Sequence, residues 1–174
     1  MSVRTILIEP NKLLRQVSKR VEKIGDDEKA LMDDMLETMY EAPGIGLAAI
    51  QIGVTKRVIV MDLSKHDQKK SPLYLVNPKI TFKSDLKSKY EEGCLSLPGQ
   101  FAEIERSSEC HVNFLDYNGN KKELKATGLF STCVQHEIDH LNGILFIDYL
   151  SKLKKTMIIK KLTKQKKTLE RIVV

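Results

Sequence analysis

Apolar residues recur at helical spacing in four parts of the chain. These segments span residues 11–21, about 27–41, about 128–142 and the region after Leu150. In the second segment the apolar stripe consists of Leu31, Met32, Met35, Leu36, Met39 and Tyr40. Acidic residues at 26–28 favour the start of this helix, and Pro43-Gly44 ends it. We expect the methionines of this stripe to pack in the protein core.

Short runs of β-branched and alternating residues predict strands between these helices. They cover residues 57–62, 73–76, 79–83, 110–116 and 121–126. Pro78 separates the second run from the third, and Asn118-Gly119 predicts a hairpin turn between the last two. Strands and helices do not alternate as in βαβ units. The pattern therefore predicts an α+β fold, with short, mostly antiparallel sheets around a central helix, an N-terminal helical region and a C-terminal helix.

The composition is that of one globular domain. The chain has 174 residues, of which 41% are hydrophobic and 30% charged, so residues 1–174 are expected to form a single domain. No apolar run approaches the roughly 18 residues of a membrane span, and Glu9 interrupts the apolar start too early for a secretory signal. A cytoplasmic location is therefore expected, and the cysteines at 94, 110 and 133 are expected to be free thiols.

Positive charge is concentrated at the C-terminus. The net charge is +6, but residues 151–174 hold nine Lys or Arg and one acid, while residues 1–150 hold 20 basic and 22 acidic residues. From residue 150 onward the apolar stripe consists of Leu150, Leu153, Met157, Leu162, Leu169 and Val173. The pattern predicts a basic amphipathic helix over 151–174. Either its stripe packs on the domain and its basic face is solvated, or it docks on an anionic surface, RNA or lipid.

The most informative motif is His136-Glu137-Ile138-Asp139-His140, on the predicted central helix. Histidines at positions i and i+4 share one face of a helix, so both imidazoles can reach one cation. The glutamate between them lies beside the metal, where it can accept a proton. The alternative is a chance match on an exposed helix. Because two of only four histidines fall in this motif, a metal site is favoured.

A catalytic metal site usually has a third protein ligand, and the residues leave its identity open. Cys133 shares the helix face but lies about 10 Å from His140 along the axis, too far for one ion. The sequence pattern places Cys110 on the buried face of a predicted strand and predicts that His66 and His111 are exposed to solvent. Cys94 is the better candidate, since Gly93 precedes it and a Pro-Gly turn follows at 98–99. A buried free cysteine remains the alternative for Cys94.

A glycine-rich segment, residues 44–51, precedes the strand at 57–62. It matches G-x-G-x-x-A, but a predicted helix comes before it and a strand after it, which is the wrong context for a dinucleotide site. We expect this segment to let a substrate approach its backbone, with Gln51 as a polar group.

Together these segments resemble the peptide deformylase family, in its short bacterial form. The motifs are Gly44-Ile45-Gly46-Leu47-Ala48-Ala49-Ile50-Gln51, Glu92-Gly93-Cys94-Leu95-Ser96 and His136-Glu137-Ile138-Asp139-His140. Each motif alone is of modest specificity, but the three in this order are highly specific, and the resemblance extends across nearly the whole chain. In one departure, Gln100 is followed by Phe101 where many relatives have Arg. Affinity or preference beyond the first substrate residue is therefore in question.

The resemblance implies a role for each matching residue. The metal ligands would be Cys94, His136 and His140, holding one divalent ion per chain, with Fe²⁺ expected and Zn²⁺, Ni²⁺ or Co²⁺ as substitutes. Glu137 would be the general acid/base, and Gln51 and the Leu95 N–H would polarise the substrate carbonyl. The substrate-binding residues would be Ile45, Gly46 and Gly93 along the peptide backbone, and Leu129 and Cys133 around the methionine side chain.

The resemblance also implies the reaction and its partners. The enzyme would hydrolyse the N-formyl group of formylmethionine on nascent polypeptides and release formate, with a metal-activated water attacking the formyl carbon. The ribosome is expected as a partner of residues 151–174, and sequence-specific nucleic-acid binding is not. The alternatives are an HExxH metallopeptidase, which lacks its third His or Glu ligand here, and a structural-metal binding module, which usually has four protein ligands.

Overall fold

Helices and strands follow one another along most of the chain. A computed structural model describes residues 2–64 and 69–172, with side chains up to Lys166. The helices are α1 (Asp26–Glu41), α2 (Gly128–Leu141) and α3 (Lys152–Ile172), and single 3₁₀ turns span Lys12–Arg15, Ala49–Ile52 and Phe146–Tyr149. The strands are β1 (Gly46–Ala48), β2 (Val58–Met61), β3 (Leu73–Lys83), β4 (Lys87–Gly93), β5 (Phe101–Ser107), β6 (Glu109–Leu115) and β7 (Lys121–Thr127).

The strands form two antiparallel sheets. The larger has the order β1-β2-β3-β6-β7, and β4 pairs with β5 in the smaller. Helix α2 contacts both sheets and is buried along most of its length. The α+β fold with a central helix and a C-terminal helix is therefore confirmed.

The larger sheet is covered on both faces. In β2, Ile59 and Met61 pack in the cluster that contains α2, whereas Val58 and Val60 pack in the cluster that contains α1. Successive side chains of a strand point to opposite faces, so a continuous apolar strand needs cover on both sides. The α1 methionines at 32, 35 and 39 are fully buried against the second face, as their spacing predicts.

The N-terminal helical region is shorter than its periodicity predicts. Only Lys12–Arg15 is helical, and Val17 is 67% exposed. Beyond this turn the backbone pairs with distant segments: Ser18 N–H donates to the Leu141 carbonyl at 2.8 Å, and Lys19 N–H donates to the Thr55 carbonyl at 2.8 Å. Hydrogen bonds to distant segments have replaced the local hydrogen bonds that a helix would need.

Proline 78 does not divide the strand as predicted. Strand β3 runs through it, and its register against β6 shifts between Val76 and Lys79. Asn77 has a positive φ of 52° at this irregularity, and its side-chain amide bonds to both the N–H and the carbonyl of Val21, each at 2.8 Å. A bulge accommodates proline because the local ladder hydrogen bond is already absent.

Helix α3 packs through only part of the predicted stripe. Leu162 is buried and Ile158 and Ile159 are half-buried against a cluster around Phe146, whereas Leu153 and Met157 are 72% and 61% exposed. The packing alternative therefore holds for Leu150 and Leu162 and is wrong for Leu153 and Met157. The two isoleucines lie one turn before Leu162 and widen the face that packs on the domain. The stripe positions Leu169 and Val173 lie outside the described side chains.

None of the helices in the described part of the chain combines the length and the apolar character needed to cross a bilayer.

Asp148 joins the domain to α3, and its replacement by asparagine should destabilise the protein. Its carboxylate accepts hydrogen bonds from Lys155 of α3, from Arg15 at 2.6 Å and from the Leu145 N–H at 2.9 Å. Burial alone would raise the pKa of Asp148, but these donors outweigh it and lower the pKa. Removing the charge should reduce the free energy of unfolding by about 1–3 kcal/mol at pH 7.

The pH dependence of the free energy of unfolding tests whether the Asp148 carboxylate stabilises the fold. A carboxylate with a lowered folded-state pKa stabilises the fold above its unfolded pKa of about 4, and this stabilisation is lost as the pH falls through the folded value. Urea unfolding should therefore separate wild type from Asp148→Asn at pH 7 and bring them together in strong acid. Asp85→Asn, at an exposed position, is the matched control. Equal unfolding midpoints for wild type and Asp148→Asn at pH 7 would contradict the assignment.

Candidate metal centre

Cys94 is presented by a tight turn at the end of β4. The Leu97 N–H donates to the Cys94 carbonyl at 2.9 Å, which closes the turn, and Pro98 follows. Leu97 is fully buried and fixes the turn to the core. The thiol thus comes from a short connection whose backbone is held at both ends.

Both histidines of the HExxH motif point from α2 toward this thiol. The distance from Cys94 Sγ to His140 Nε2 is 3.2 Å, and His140 Nε2 lies 3.2 Å from His136 Nε2. The three ligand atoms lie within 4.8 Å of one another, and both imidazoles are buried. The topology therefore brings together the three residues to which the resemblance assigns the metal.

A buried ion pair orients one of these rings. Glu92 accepts from His136 Nδ1 at 2.8 Å and is held in turn by the Arg106 guanidinium through two hydrogen bonds of 2.5 and 3.0 Å. Arg106 also donates to Asp139 at 2.7 Å. Against the opposing effect of burial, the thiol of Cys94 and the carboxylate of Glu92 raise the pKa of His136, so without a metal this ring is held as a cation. In the neutral ring that ligates a metal, the proton on Nδ1 would stay with Glu92 and the lone pair would lie on Nε2, which faces Cys94 and His140.

The donor set fits a small transition-metal ion. One sulfur and two imidazole nitrogens suit Fe, Zn, Ni or Co, whereas Mg²⁺ and Ca²⁺ prefer oxygen ligands. Burial lowers the pKa of His140 well below its usual range, so this ring is neutral and can ligate a metal. No further His, Cys, Asp or Glu joins this cluster within the described residues. Three protein ligands leave a coordination position open, as in catalytic sites.

Glu137 is a buried carboxylate beside the ligand cluster. Burial raises its pKa to about 7, and its Oε2 has no hydrogen-bond partner among the described residues. The backbone of β1 runs against it, because a Cβ added to Gly46 would lie 2.8 Å from Glu137 Cδ. The carboxylate thus keeps an oxygen without a partner among the described residues, at the wall of a cavity, which suits a group that transfers protons.

Gln51 reaches the cluster from the 3₁₀ turn after β1. Its Oε1 accepts from the Ala48 N–H at 2.8 Å, which fixes the orientation of the amide. Its Nε2 then donates to Ser96 Oγ at 3.1 Å and lies 3.5 Å from Cys94 Sγ. A neutral hydrogen-bond donor is therefore aimed at the space next to the thiol.

These groups open into a cavity of about 420 Å³. Its lining includes all the residues that the resemblance assigns to substrate contact, namely Ile45, Gly46, Gly93, Leu95, Leu129 and Cys133. Burial raises the pKa of Cys133 to about 12, so its thiol stays protonated and forms part of the apolar wall. A larger depression of about 650 Å³ along β3 contains none of the candidate ligands.

The other candidate ligands of the sequence lie apart from the cluster. Cys110 is buried within β6, and burial raises the pKa of its thiol. His111, which was expected to be exposed, retains 22% side-chain exposure and pairs with Glu109 at 2.8 Å. His66 lies outside the described residues.

Sequence reasoning missed the ion pair that supports the ligands. Glu92, Arg106 and Asp139 come from three elements, and their approach depends on the packing of α2 against the smaller sheet. Two of the three lie inside motifs, at the residue before Gly93 and the residue before His140. An acidic residue one or two positions before a candidate metal ligand was the sequence signal that could have predicted this ion pair.

Gly46→Ala tests the hypothesis that Glu137 takes part in catalysis at a metal site: it should lower kcat and leave the metal content unchanged. The added methyl group would occupy space that Glu137 now fills, so the carboxylate must move by about 1 Å. A displacement of this size in a catalytic group lowers kcat by about 10²-fold. Steady-state kinetics with metal analysis on the same sample measures both quantities.

Gly25→Ala is the control for this substitution, since a Cβ there makes only an ordinary contact of 3.6 Å. Wild-type kcat in Gly46→Ala would show that the position of Glu137 does not matter.

The chain matches the family model described as polypeptide deformylase over residues 3–156. It is 71% identical to the peptide deformylase of Pelagibacter ubique over 166 residues, which covers 95% of this chain and 96% of the relative. The crystal structure of peptide deformylase from Ehrlichia chaffeensis superposes with a TM-score of 0.91 at 45% identity, covering 96% of this chain and 98% of that one.

A second Ehrlichia chaffeensis structure, a peptide deformylase in complex with actinonin, matches with a TM-score of 0.91 at 46% identity, covering 95% of this chain and 98% of that one. Sequence, fold and the three motifs agree over nearly the full length. The chain therefore belongs to the peptide deformylase family.

Proposed function

We propose that this protein removes the N-formyl group from formylmethionine at the start of nascent polypeptides, in the cytoplasm. The observation that carries the proposal is the convergence of Cys94, His136 and His140 beside the buried Glu137. A metallopeptidase is not favoured by the comparisons. A structural-metal module is disfavoured because the described residues supply only three ligands.

Cys94, His136 and His140 would hold one divalent metal ion. We expect Fe²⁺, with Zn²⁺, Ni²⁺ or Co²⁺ as functional substitutes, because sulfur and imidazole ligands suit all of these ions. When bound, such an ion supplies a Lewis acid that makes water a nucleophile near neutral pH. Glu92 and Arg106 would hold the His136 ring in its ligating orientation.

Glu137 would move the proton that the reaction requires. Its unpartnered Oε2 can accept a proton from the attacking water and then donate it to the amine nitrogen of methionine as formate leaves. The pKa of about 7 suits both steps, because the same group must act as a base and then as an acid.

Gln51 and the Leu95 backbone N–H would stabilise negative charge on the formyl oxygen. Gln51 is oriented in advance by the Ala48 N–H, so its Nε2 already points to the space next to the thiol, where its long 3.5 Å contact with Cys94 Sγ can be exchanged for the formyl oxygen. Loss of one such donor typically costs about 2.7–4 kcal/mol of transition-state stabilisation. The Gln51→Ala variant should therefore show kcat lowered by about 10²–10³-fold.

The peptide would bind as an extended segment between the two sheets. Within the described residues, β1 is the end strand of the larger sheet and β4 pairs only with β5, so each strand has an unpaired edge, and Gly46 of β1 and Gly93 of β4 line the cavity. Ile45, Gly46 and Gly93 lie on these edges and would contact the peptide backbone. The methionine side chain would enter the cavity between Leu129 and Cys133.

The direct test measures formate release from formyl-Met-Ala-Ser, with metal analysis on the same sample. We expect turnover that requires stoichiometric metal and falls in Gln51→Ala. Internal cleavage of unformylated peptides would indicate a metallopeptidase instead. Bound metal without either activity would indicate a structural-metal module.

We also propose that the C-terminal helix contacts the ribosome. The side chains of Lys152, Lys154, Lys160 and Lys161 are exposed on α3, beside the exposed Leu153 and Met157. Clustered lysines attract RNA phosphates in a salt-dependent way.

Replacing these four lysines with glutamate should reduce co-sedimentation with ribosomes at low salt. The matched control reverses four exposed lysines of the larger sheet, Lys79, Lys83, Lys121 and Lys122. Circular dichroism must show an intact fold, because Leu162 anchors the same helix. Unchanged co-sedimentation of the α3 variant would contradict the proposal.

A further inference from the structure

The mouth of the cavity carries an apolar rim. Ile45, Phe101 and Leu129 all line the cavity, although 47%, 64% and 47% of their surfaces are exposed. Large apolar side chains are seldom left exposed together unless they serve in binding. The rim is therefore a contact surface for the part of a bound peptide that extends out of the cavity.

Phe101 is held in this position by the ladder of the smaller sheet. It pairs directly with Gly93, the residue before Cys94, and its ring lies over the glycine backbone. A Cβ at Gly93 would lie 2.6 Å from Phe101 Cε1, so the ring occupies the space that a side chain there would need. The ring thus lies beside the strand edge that we propose for peptide binding.

The charges around the mouth exclude some side chains. No Lys or Arg lines the cavity among the described residues, and the carboxylate of Glu91 lies exposed at its edge. This carboxylate would repel an acidic side chain of the substrate, and the described part of the cavity lining has no Lys or Arg to pair with that side chain. An apolar side chain would bury surface against Phe101 and its neighbours.

We infer that Phe101 is a specificity-determining residue that selects peptides with apolar side chains in the two positions after formylmethionine. A peptide whose first residue fills the cavity must pass the rim as it leaves, so these positions come within reach of the ring. This inference rests on the proposed deformylase function and adds the class of substrate.

The test compares kcat/KM for leucine and asparagine, which have similar size, at each position. The substrates are formyl-Met-Leu-Ser against formyl-Met-Asn-Ser, and formyl-Met-Ala-Leu against formyl-Met-Ala-Asn. The wild-type protein should prefer leucine by about tenfold at both positions. Phe101→Ala should reduce this ratio to near one, and Phe101→Leu should retain most of it.

Phe82→Ala is the matched control, because Phe82 is an exposed aromatic residue of β3 that lines the other depression. It should keep the wild-type ratio. Metal content and circular dichroism would confirm that each variant retains its site and fold. Turnover without a leucine preference, or a preference that persists in Phe101→Ala, would overturn the inference alone. Failure to release formate from any of these peptides, including formyl-Met-Ala-Ser, would overturn the proposed function as well.

Discussion

Replacing Glu137 with glutamine will lower turnover by orders of magnitude while the metal stays bound. Glutamine matches the size of the buried side chain but cannot accept a proton from water or return one to the leaving amine. Loss of a general acid/base lowers kcat by about 10²–10⁴-fold. Because Glu137 is not one of the three clustered ligand atoms, the metal content should remain near one per chain.

Formate release and elemental analysis on the same preparation measure both effects. Glu105→Gln makes the same chemical change at an exposed position on β5 and should keep wild-type activity. Formate release by Glu137→Gln at the wild-type rate would remove Glu137 from the proton path. Loss of metal from that variant would assign it a role in binding the ion.

Replacing Cys94 with serine will remove both the metal and the activity. A neutral hydroxyl is a poor substitute for a thiolate at a site of sulfur and imidazole ligands. The two histidines alone should hold the ion at least tenfold more weakly, so chelator competition should empty the variant first. Activity should fall in proportion to the metal that is lost.

Cys133→Ser provides the control for this experiment, because Cys133 lies in the same cavity but outside the ligand cluster. It should retain the metal under the same chelator challenge. If Cys94→Ser held as much metal as the wild-type protein, the thiol would not be a ligand.

The elements with strong local signals could be predicted from the sequence. Helix α1 was predicted at 27–41 and spans Asp26–Glu41, and the Asn118-Gly119 hairpin joins β6 to β7 as expected. In both cases the periodicity or turn residues determine the structure within a short window.

Elements that depend on distant partners could not be predicted. Strands β4 and β5 are rich in charged residues, which hid any alternation of apolar and polar positions, and they were not predicted because they form by pairing with each other. Strand β1 has only three residues, within a segment expected to be a loop, and forms by pairing with β2. The same dependence on distant contacts shortened the helix at 11–21.

The three candidate metal ligands also differ in whether local sequence or distant packing places them. Helical spacing alone puts His136 and His140 on one face, so this pair follows from local geometry. Cys94 comes from a turn more than 40 residues away in sequence, and its approach depends on how α2 packs against β4. From the residues alone the thiol was only the better candidate, and the family resemblance supplied the assignment.

X-ray absorption spectroscopy of the metal in the purified protein tests the central claim most directly. The account predicts one sulfur ligand, two imidazole nitrogens and no protein carboxylate around a single ion. The sulfur signal should disappear in any metal that Cys94→Ser retains. A wild-type spectrum with only nitrogen and oxygen ligands would contradict the account.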